Sequence, residues 1–331
     1  MVKIAINGFG RIGRSFFRAA FALPSEALPR RQAGSAKGGE IFDIVAVNDL
    51  ADEKTLLYLL KYDSIYGRFE KEVKGVKFLA EKEPAKLPWT KLGVDIVVES
   101  TGLFADGKTA QAHLDAGAKR VVITAPAQGG TLTALVGVND DLFKKGHPIT
   151  SNASCTTNSV APVMKILLEN FGIKKAVMTT VHGYTASQKL VDGPDAKDPR
   201  RGRAAAINIV PSTTGAAEAV IDAIPELEGK FQAESIRVPT ITGSISITSA
   251  LVEKKTTREA VNELFKNEAA KPRWAHVLKI TEDPIVSSDV IGEPYGAIVD
   301  LSLTQVLDND LVKVFSWYDN EAGYTATLVE H

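Results

Sequence analysis

The chain has 331 residues, 44% of them hydrophobic and 24% charged, and a formal net charge of −1. These values are ordinary for a globular protein of two domains, and they exclude a global basic field that would make nucleic acid the main partner. One cysteine excludes an internal disulfide, and no apolar stretch is long enough to span a bilayer. The opening Met1-Val2-Lys3-Ile4-Ala5-Ile6-Asn7 is too short an apolar run for a signal peptide, so a cytoplasmic protein is expected.

Val2 to Ile6 reads as a short buried strand. Gly8-Phe9-Gly10-Arg11-Ile12-Gly13 follows at once, and Arg14 to Phe21 reads as a helix. Between a strand and a helix, a G-x-G-x-x-G run has the context of a dinucleotide site. Gly8 allows the tight turn, Gly10 lets backbone approach a pyrophosphate, and Gly13 lets helix and strand pack closely. The diphosphate would rest on the helix N-terminus. A glycine turn without a ligand is the alternative.

Phe42 to Val47 reads as a second buried strand, ending in Asn48-Asp49. The Asp49 carboxylate would accept from ribose hydroxyls and repel a 2′-phosphate, favouring NAD over NADP. Asp49 is also a candidate N-cap for a helix near Glu53–Leu60. It stands 36 residues beyond Gly13 rather than the usual ~20. The excess, Pro24 to Glu40, reads as an inserted surface loop that spares the site. Val94 to Gly102 reads as a strand ending in small polar residues, Ala110 to Ala116 as a helix, and Arg120 to Pro126, with Thr124 in it, as a further strand with a turn. Alternating strands and helices predict a doubly wound, mostly parallel sheet of Rossmann type, with small residues where strands meet a cofactor.

Ser151-Asn152-Ala153-Ser154-Cys155-Thr156-Thr157-Asn158 holds the only cysteine and precedes an apolar run of helical spacing. Cys155 is expected at a helix N-terminus, where N–H groups and the dipole ease ionisation of a thiol. A buried cysteine acting as a small hydrophobe is the competing reading. Ala176 to His182 reads as a strand ending in a histidine, a candidate general base and ion-pair partner for the thiol. Gly183 to Ala206 is a long polar loop with Arg200, Arg201 and Arg203 near its end, either a phosphate site or a solvated face. Thr213-Thr214-Gly215 opens an Ala-rich helix, another anion site. Strands at 235–238, 244–248, 297–301 and 312–318 follow, several without helices between them. They predict an α+β domain with a mixed or antiparallel sheet. No Cys/His cluster has zinc spacing.

These residues resemble the phosphorylating glyceraldehyde-3-phosphate dehydrogenases. The matches, in the family's order, are Ala-Ile-Asn-Gly-Phe-Gly-Arg-Ile-Gly-Arg (5–14), Ala-Val-Asn-Asp (46–49), Lys-Tyr-Asp-Ser (61–64), Glu-Ser-Thr-Gly (99–102), the cysteine octapeptide (151–158), Thr-Thr-Val-His (179–182), Ser-Thr-Thr-Gly-Ala-Ala (212–217), Arg-Val-Pro-Thr (237–240) and Ser-Trp-Tyr-Asp-Asn-Glu-Ala-Gly-Tyr (316–324). The resemblance implies an NAD-binding domain of residues 1–151 with 320–331 and a catalytic domain of 152–319. It implies NAD as cofactor, glyceraldehyde 3-phosphate and inorganic phosphate as substrates, and a homotetramer.

It further implies that Cys155 attacks the aldehyde and that His182 lowers the thiol pKa and moves the proton. Gly8, Gly10, Arg11, Ile12, Gly13, Asp49, Thr124 and Asn320 would hold the cofactor, with Tyr324 nearby. Thr185 and Arg237 would hold one phosphate; Ser154, Thr214, Gly215 and Arg200 the other, with Thr156 beside the nucleophile. An erythrose-4-phosphate dehydrogenase, or a catalytically silent binding protein on the same fold, shares most of these motifs.

Four departures from the family pattern stand out. They are the Pro24–Glu40 insertion, a shortened stretch after Phe69, altered residues at Ile241-Thr242-Gly243-Ser244 and Ile247, and an ending seven residues past Tyr324. The last predicts loss of the family's C-terminal helix. That would expose a few hundred Å² of apolar surface, on the order of several kcal/mol.

Overall fold

The structure, a computed structural model, describes residues 1–22, 42–126, 128–196 and 198–331. The Pro24–Glu40 insertion lies outside the described residues. Two compact units form: unit 1 is Met1–Leu135, Asp140–Ala153 and Leu328–His331, and unit 2 is Val136–Asn139 and Ser154–Thr327. No helix among the described residues is long and apolar enough to cross a membrane.

Unit 1 is built on β1 (Val2–Asn7), α1 (Arg11–Ala22), β2 (Phe42–Asn48), α2 (Glu53–Lys61), β3 (Lys77–Leu79), β4 (Ile96–Glu99), α3 (Gly107–Asp115), β5 (Arg120–Ile123), β6 (Leu132–Thr133) and β7 (Ile149–Ser151). The strands form one sheet in the order β3-β2-β1-β4-β5-β7-β6. Every pair in it is parallel. The chain winds outward from β1 to β3 and then returns to the other side of β1. That reversal places the switch point, where ligands bind in open α/β sheets, between β1 and β4. Central strands are buried on both faces, so they read as apolar runs rather than alternating ones. Ala5 and Ala46 lie in the core with Trp89, Val97, Ala110 and Ile123. The shortened stretch after Phe69 leaves a three-residue edge strand, β3, paired with Ala46–Asn48.

Unit 2 contains α4 (Cys155–Phe171), β8 (Ile173–Gly183), β9 (Val210–Ser212), α5 (Ala216–Ala223), β10 (Phe231–Val238), β11 (Ser244–Val252), α6 (Arg258–Ala269), β12 (Leu278–Thr281), β13 (Ala297–Asp300), β14 (Gln305–Leu307), β15 (Leu311–Tyr318) and the first part of α7 (Ala322–Glu330), whose residues from Leu328 belong to unit 1. Its sheet runs β9-β10-β8-β11-β15-β13-β12, with β14 on β15. β8 and β10 are parallel, while β8–β11 and β11–β15 are antiparallel, the mixed sheet that the helix-free run of strands predicts. On β11 the residues alternate between buried serines, threonines and alanines and partly buried Ile245 and Ile247, a period-two pattern.

The expected loss of the C-terminal helix is corrected. α7 begins before Tyr324, and Tyr324, Thr325, Thr327 and Leu328 are buried. Asp319 starts it: Oδ1 accepts the N–H groups of Glu321 (2.8 Å) and Ala322 (3.0 Å). A carboxylate at a helix start satisfies donors that otherwise lack partners.

Gly13 and Gly10 separate two uses of glycine. A Cβ on Gly13 would lie 2.1 Å from the Gly8 carbonyl oxygen, whereas one on Gly10 would meet nothing within 4 Å. Gly13→Ala is therefore expected to cost about 1–3 kcal/mol and lower the thermal midpoint by several degrees. Gly10→Ala is expected to leave the midpoint within about 2 °C. Differential scanning calorimetry of the two variants checks this.

Candidate active site

In unit 1 the glycine turn leaves the end of β1 and enters α1. Gly8, at φ +92°, occupies a conformation that a side chain disfavours. Its N–H donates to the Asn48 carbonyl (2.8 Å), and Arg14 N–H returns to the Gly10 carbonyl (3.0 Å). Gly10 therefore stands at the helix start, exposed, with the N–H groups of Arg11, Ile12 and Gly13 ahead of the first full helical bonds. That open, donor-rich face fits a diphosphate.

Asp49 is not the cap of α2; Asp52 is, accepting from Thr55 N–H (3.0 Å). Asp49 faces the glycine turn instead. Its Oδ2 accepts from Phe9 N–H (2.7 Å) and its Oδ1 from Ala51 N–H (3.0 Å). Both oxygens keep lone pairs for ribose hydroxyls. The side chain of Arg11, expected at the cofactor, pairs with Asp63 (2.5 Å), which also accepts from Ile65 and Tyr66 N–H groups. Burial acts to raise the Asp63 carboxyl, but those N–H groups and Arg11 hold it below its ordinary value. The Lys-Tyr-Asp-Ser stretch thereby ties to the glycine turn through the Arg11 side chain. Thr124, just past β5, is half-buried, with its N–H on the Glu99 carbonyl (3.0 Å).

Unit 2 carries the thiol. Ala153, just before the helix cap, has φ +52°, an uncommon conformation for a residue with a Cβ. Ser154 is the N-cap of α4, its hydroxyl accepting from Thr157 N–H (3.1 Å). Cys155 is the first residue of the helix, half-buried. His182 and Arg237 are register partners on the parallel strands β8 and β10, so they project side by side at the strands' C-terminal ends. Cys155 Sγ lies 3.4 Å from His182 Nε2, and Arg237 Nη1 lies 2.7 Å from His182 Nδ1.

The electrostatics of this group differ from the ion pair expected. Burial pushes the Cys155 thiol up; the Arg237 charge, the Thr156 hydroxyl and the N–H groups of Thr156 and Cys155 oppose it. Burial and then Arg237 push His182 down to about 3. The imidazole beside the thiol is thus neutral, and cationic help for a thiolate comes from Arg237. A guanidinium only donates, so its contact with Nδ1 suits a ring protonated on Nε2, while the Gly183 carbonyl, 2.6 Å from Nδ1, suits the other tautomer. The latter leaves Nε2 free to take the thiol proton.

Tyr318 is a site residue that motif reading missed. Its hydroxyl bridges Thr156 Oγ1 (3.0 Å) and Thr180 Oγ1 (2.7 Å), and its ring meets His182 edge-on at 5.8 Å. Thr156, expected beside the nucleophile at the phosphate site, is buried with its hydroxyl turned to Tyr318. Asn320 is held by Thr242 and Ser244, whose hydroxyls donate to its Oδ1 (3.2 and 3.1 Å), so its amide presents donors. The altered Thr242 and Ser244 thus fix that side chain. Thr214 Oγ1 accepts from Ala216 N–H (3.2 Å), and Gly215 caps α5.

Of the loop arginines, Arg201 reaches this corner, donating to the Thr213 carbonyl (3.1 Å) and acting electrostatically on Arg237. Arg200, the expected ligand, is exposed. It contributes its backbone N–H to Asp198 Oδ1 (3.0 Å). The two are neighbours in a short 3-10 turn, Pro199–Gly202, whose polar sequence carries no apolar period that could phase them. Thr185 follows β8, its hydroxyl 2.9 Å from that of Ser187.

A glycine turn opening a helix at a switch point, with a thiol set against an imidazole, defines a dinucleotide-dependent oxidoreductase. A family model for the glyceraldehyde 3-phosphate dehydrogenase NAD binding domain matches residues 2–107, and one for its C-terminal domain matches 154–320. The chain is 48% identical to a glyceraldehyde-3-phosphate dehydrogenase of Mycobacterium avium over 342 residues, 99% of this chain and 97% of that one. It is 47% identical to that of Mycobacterium tuberculosis strain ATCC 25618 / H37Rv, with the same coverage. It is 46% identical to that of Streptomyces coelicolor over 341 residues, again 99% and 97% of the two chains. The chain belongs to the glyceraldehyde-3-phosphate dehydrogenase family, and its cofactor is NAD.

The role of Arg237 has a direct readout. The rate of Cys155 alkylation by iodoacetamide is expected to rise with pH as the thiol ionises. Arg237→Leu should move the midpoint upward by on the order of one pH unit, and Arg237→Lys by less. An unchanged midpoint in Arg237→Leu contradicts the assignment.

Proposed function

We propose that the protein oxidises D-glyceraldehyde 3-phosphate to 1,3-bisphosphoglycerate with inorganic phosphate, the glycolytic and gluconeogenic step, through covalent chemistry at Cys155. The observation that carries the reading is the 3.4 Å approach of the helix-start thiol to His182 Nε2. His182 takes the thiol proton as Cys155 Sγ bonds to the aldehyde carbon, giving a thiohemiacetal. His182 passes that proton to the oxyanion and then takes the hydroxyl proton as the thioester forms, while NAD, when bound, would supply the acceptor for the hydride from that carbon. Inorganic phosphate then displaces the thiolate, releasing the acyl phosphate and restoring Cys155. The N–H groups at the start of α4, and the Nε2–H that His182 carries once it has taken the thiol proton, stabilise the oxyanion.

Within this reading, Gly8, Gly10, Gly13, Asp49 and Thr124, with the N–H groups of Arg11 and Ile12, belong to the cofactor site of unit 1, and Asn320 offers amide donors to a carboxamide. Arg237 and Thr185 bind one phosphate; Ser154, Thr214, Gly215 and Arg201 the other. Tyr318 positions His182 and Thr156. A homotetramer is supported by the 183–206 loop and its flank, where Leu190, Val191, Ile207 and Ile209 are 83%, 74%, 79% and 71% exposed. Apolar side chains grouped so openly mark a surface that another copy covers. The cytoplasm, with its reducing conditions, suits a reactive lone thiol.

Following NADH absorbance with NAD and glyceraldehyde 3-phosphate tests the chemistry. Sustained turnover is expected to require phosphate, and Cys155→Ser should reduce kcat by more than about 10³-fold. A phosphate-independent steady rate contradicts the phosphorylating step. For the assembly, light scattering is expected to give four times the 35.5 kDa chain mass, and Leu190→Asp with Val191→Asp should lower it. A monomer in the unaltered protein contradicts it.

A further inference from the structure

Five side chains not used above form a buried polar chain beneath the cofactor edge of unit 1. Asn48, Asn7 and Glu99 end the adjacent strands β2, β1 and β4 in matching register. Asn48 Nδ2 donates to Asn7 Oδ1 (2.7 Å), and Asn7 Nδ2 donates to Glu99 Oε2 (2.6 Å). His113 Nε2, on α3, lies 3.0 Å from the same oxygen, and Trp89 Nε1 lies 3.1 Å from His113 Nδ1. Trp89 and His113 are wholly buried, and Glu99 is 2% exposed.

The direction of this chain is fixed by its ends. An indole N–H only donates, so His113 Nδ1 accepts, the ring carries its proton on Nε2, and Nε2–H donates to Glu99. Asn7 donates to the same carboxylate oxygen from the other side. Oε2 is thereby held by two donors, and Oε1 is turned outward. Oε1 accepts both the N–H and the hydroxyl of Thr101 (2.8 and 2.5 Å), and Thr101 Oγ1 accepts from Leu103 N–H (3.0 Å). The segment so held abuts the glycine turn. Ser100 Oγ donates to the Gly8 carbonyl (2.6 Å), and a Cβ on Gly8 would lie 2.6 Å from Thr101 N.

We propose that His113 and Glu99 are positioning residues for NAD. Their hydrogen bonds set the Ser100–Leu103 turn against Gly8 and so hold the glycine turn in its cofactor-binding form. A network serving burial alone would need its donors and acceptors matched, but not one oxygen spent wholly on the turn beside the cofactor edge. His113 acts through Glu99 on that turn, so its loss acts on cofactor affinity rather than on the chemical step. The inference rests on the reading that the glycine turn binds the dinucleotide.

The test uses the full-length protein. NAD affinity is measured by quenching of tryptophan fluorescence, alongside KM for NAD, kcat at saturating NAD, and the thermal midpoint. His113→Phe fills the same space but cannot donate to Glu99. It is expected to raise Kd and KM for NAD about tenfold, with kcat within about twofold, and His113→Gln, which restores a donor, should recover most of the loss. Gly10→Leu is the control for the parent reading. If it leaves NAD affinity intact, the glycine-turn assignment fails; if it abolishes binding while His113→Phe leaves Kd unchanged, the positioning role alone fails. A fall in kcat with Kd unchanged also overturns it. Should His113→Phe not fold, Thr101→Val, which removes the half-buried hydroxyl bond to Glu99, is expected to raise Kd severalfold, and an unchanged Kd overturns the proposal.

Discussion

The start of α4 is the constraint on which the chemistry depends. A thiol on the first residue of a helix meets unpaired N–H groups and the positive end of the dipole, which favour its anion. Burial works against that anion, and here it is the larger effect. Reactivity at neutral pH therefore needs nearby groups that favour the thiolate or take its proton. Arg237 supplies charge and His182 a neutral base, and the two lie side by side because β8 and β10 run parallel in a register that aligns them, with His182 Nε2 toward the sulfur.

This arrangement is held by packing as much as by polar contact. Ala153 turns the chain with a positive φ immediately before the cap, and Ser154 then satisfies the Thr157 donor. Tyr318, buried between Thr156 and Thr180, keeps its hydroxyl protonated because burial raises its pKa, and it holds the helix start to the strand that carries His182. In unit 1 the same logic appears without a nucleophile. Glycines supply the close approach, and carboxylates at 49, 63 and 99 accept backbone N–H groups that fix the surrounding turns.

What the sequence revealed follows from the range of each interaction. The glycine turn, the thiol at a helix start and the two sheet types are legible because each rests on neighbours within a few positions. Partners distant in sequence were not. Nothing near Asp49 said that its carboxylate would face Phe9 while Asp52 capped the helix, nor that Arg11 would commit its guanidinium to Asp63. Arg200 and Arg201 could not be phased in a polar turn without an apolar period. The C-terminal helix was expected to be lost because Tyr324 looked like the end of a motif, whereas Asp319 starts a helix before it. His113 gave no signal, since its meaning depends on Glu99 and Trp89, 14 and 24 residues away.

The most direct test of the central claim is to catch the covalent intermediate. Protein mixed with NAD and glyceraldehyde 3-phosphate, without inorganic phosphate, is quenched in acid and analysed by intact mass and peptide mapping. The account predicts one phosphoglyceroyl group per chain on the Cys155 peptide, formed with a matching burst of NADH and lost when phosphate is added. A burst of NADH with no adduct on Cys155, or an adduct that phosphate does not release, would contradict it.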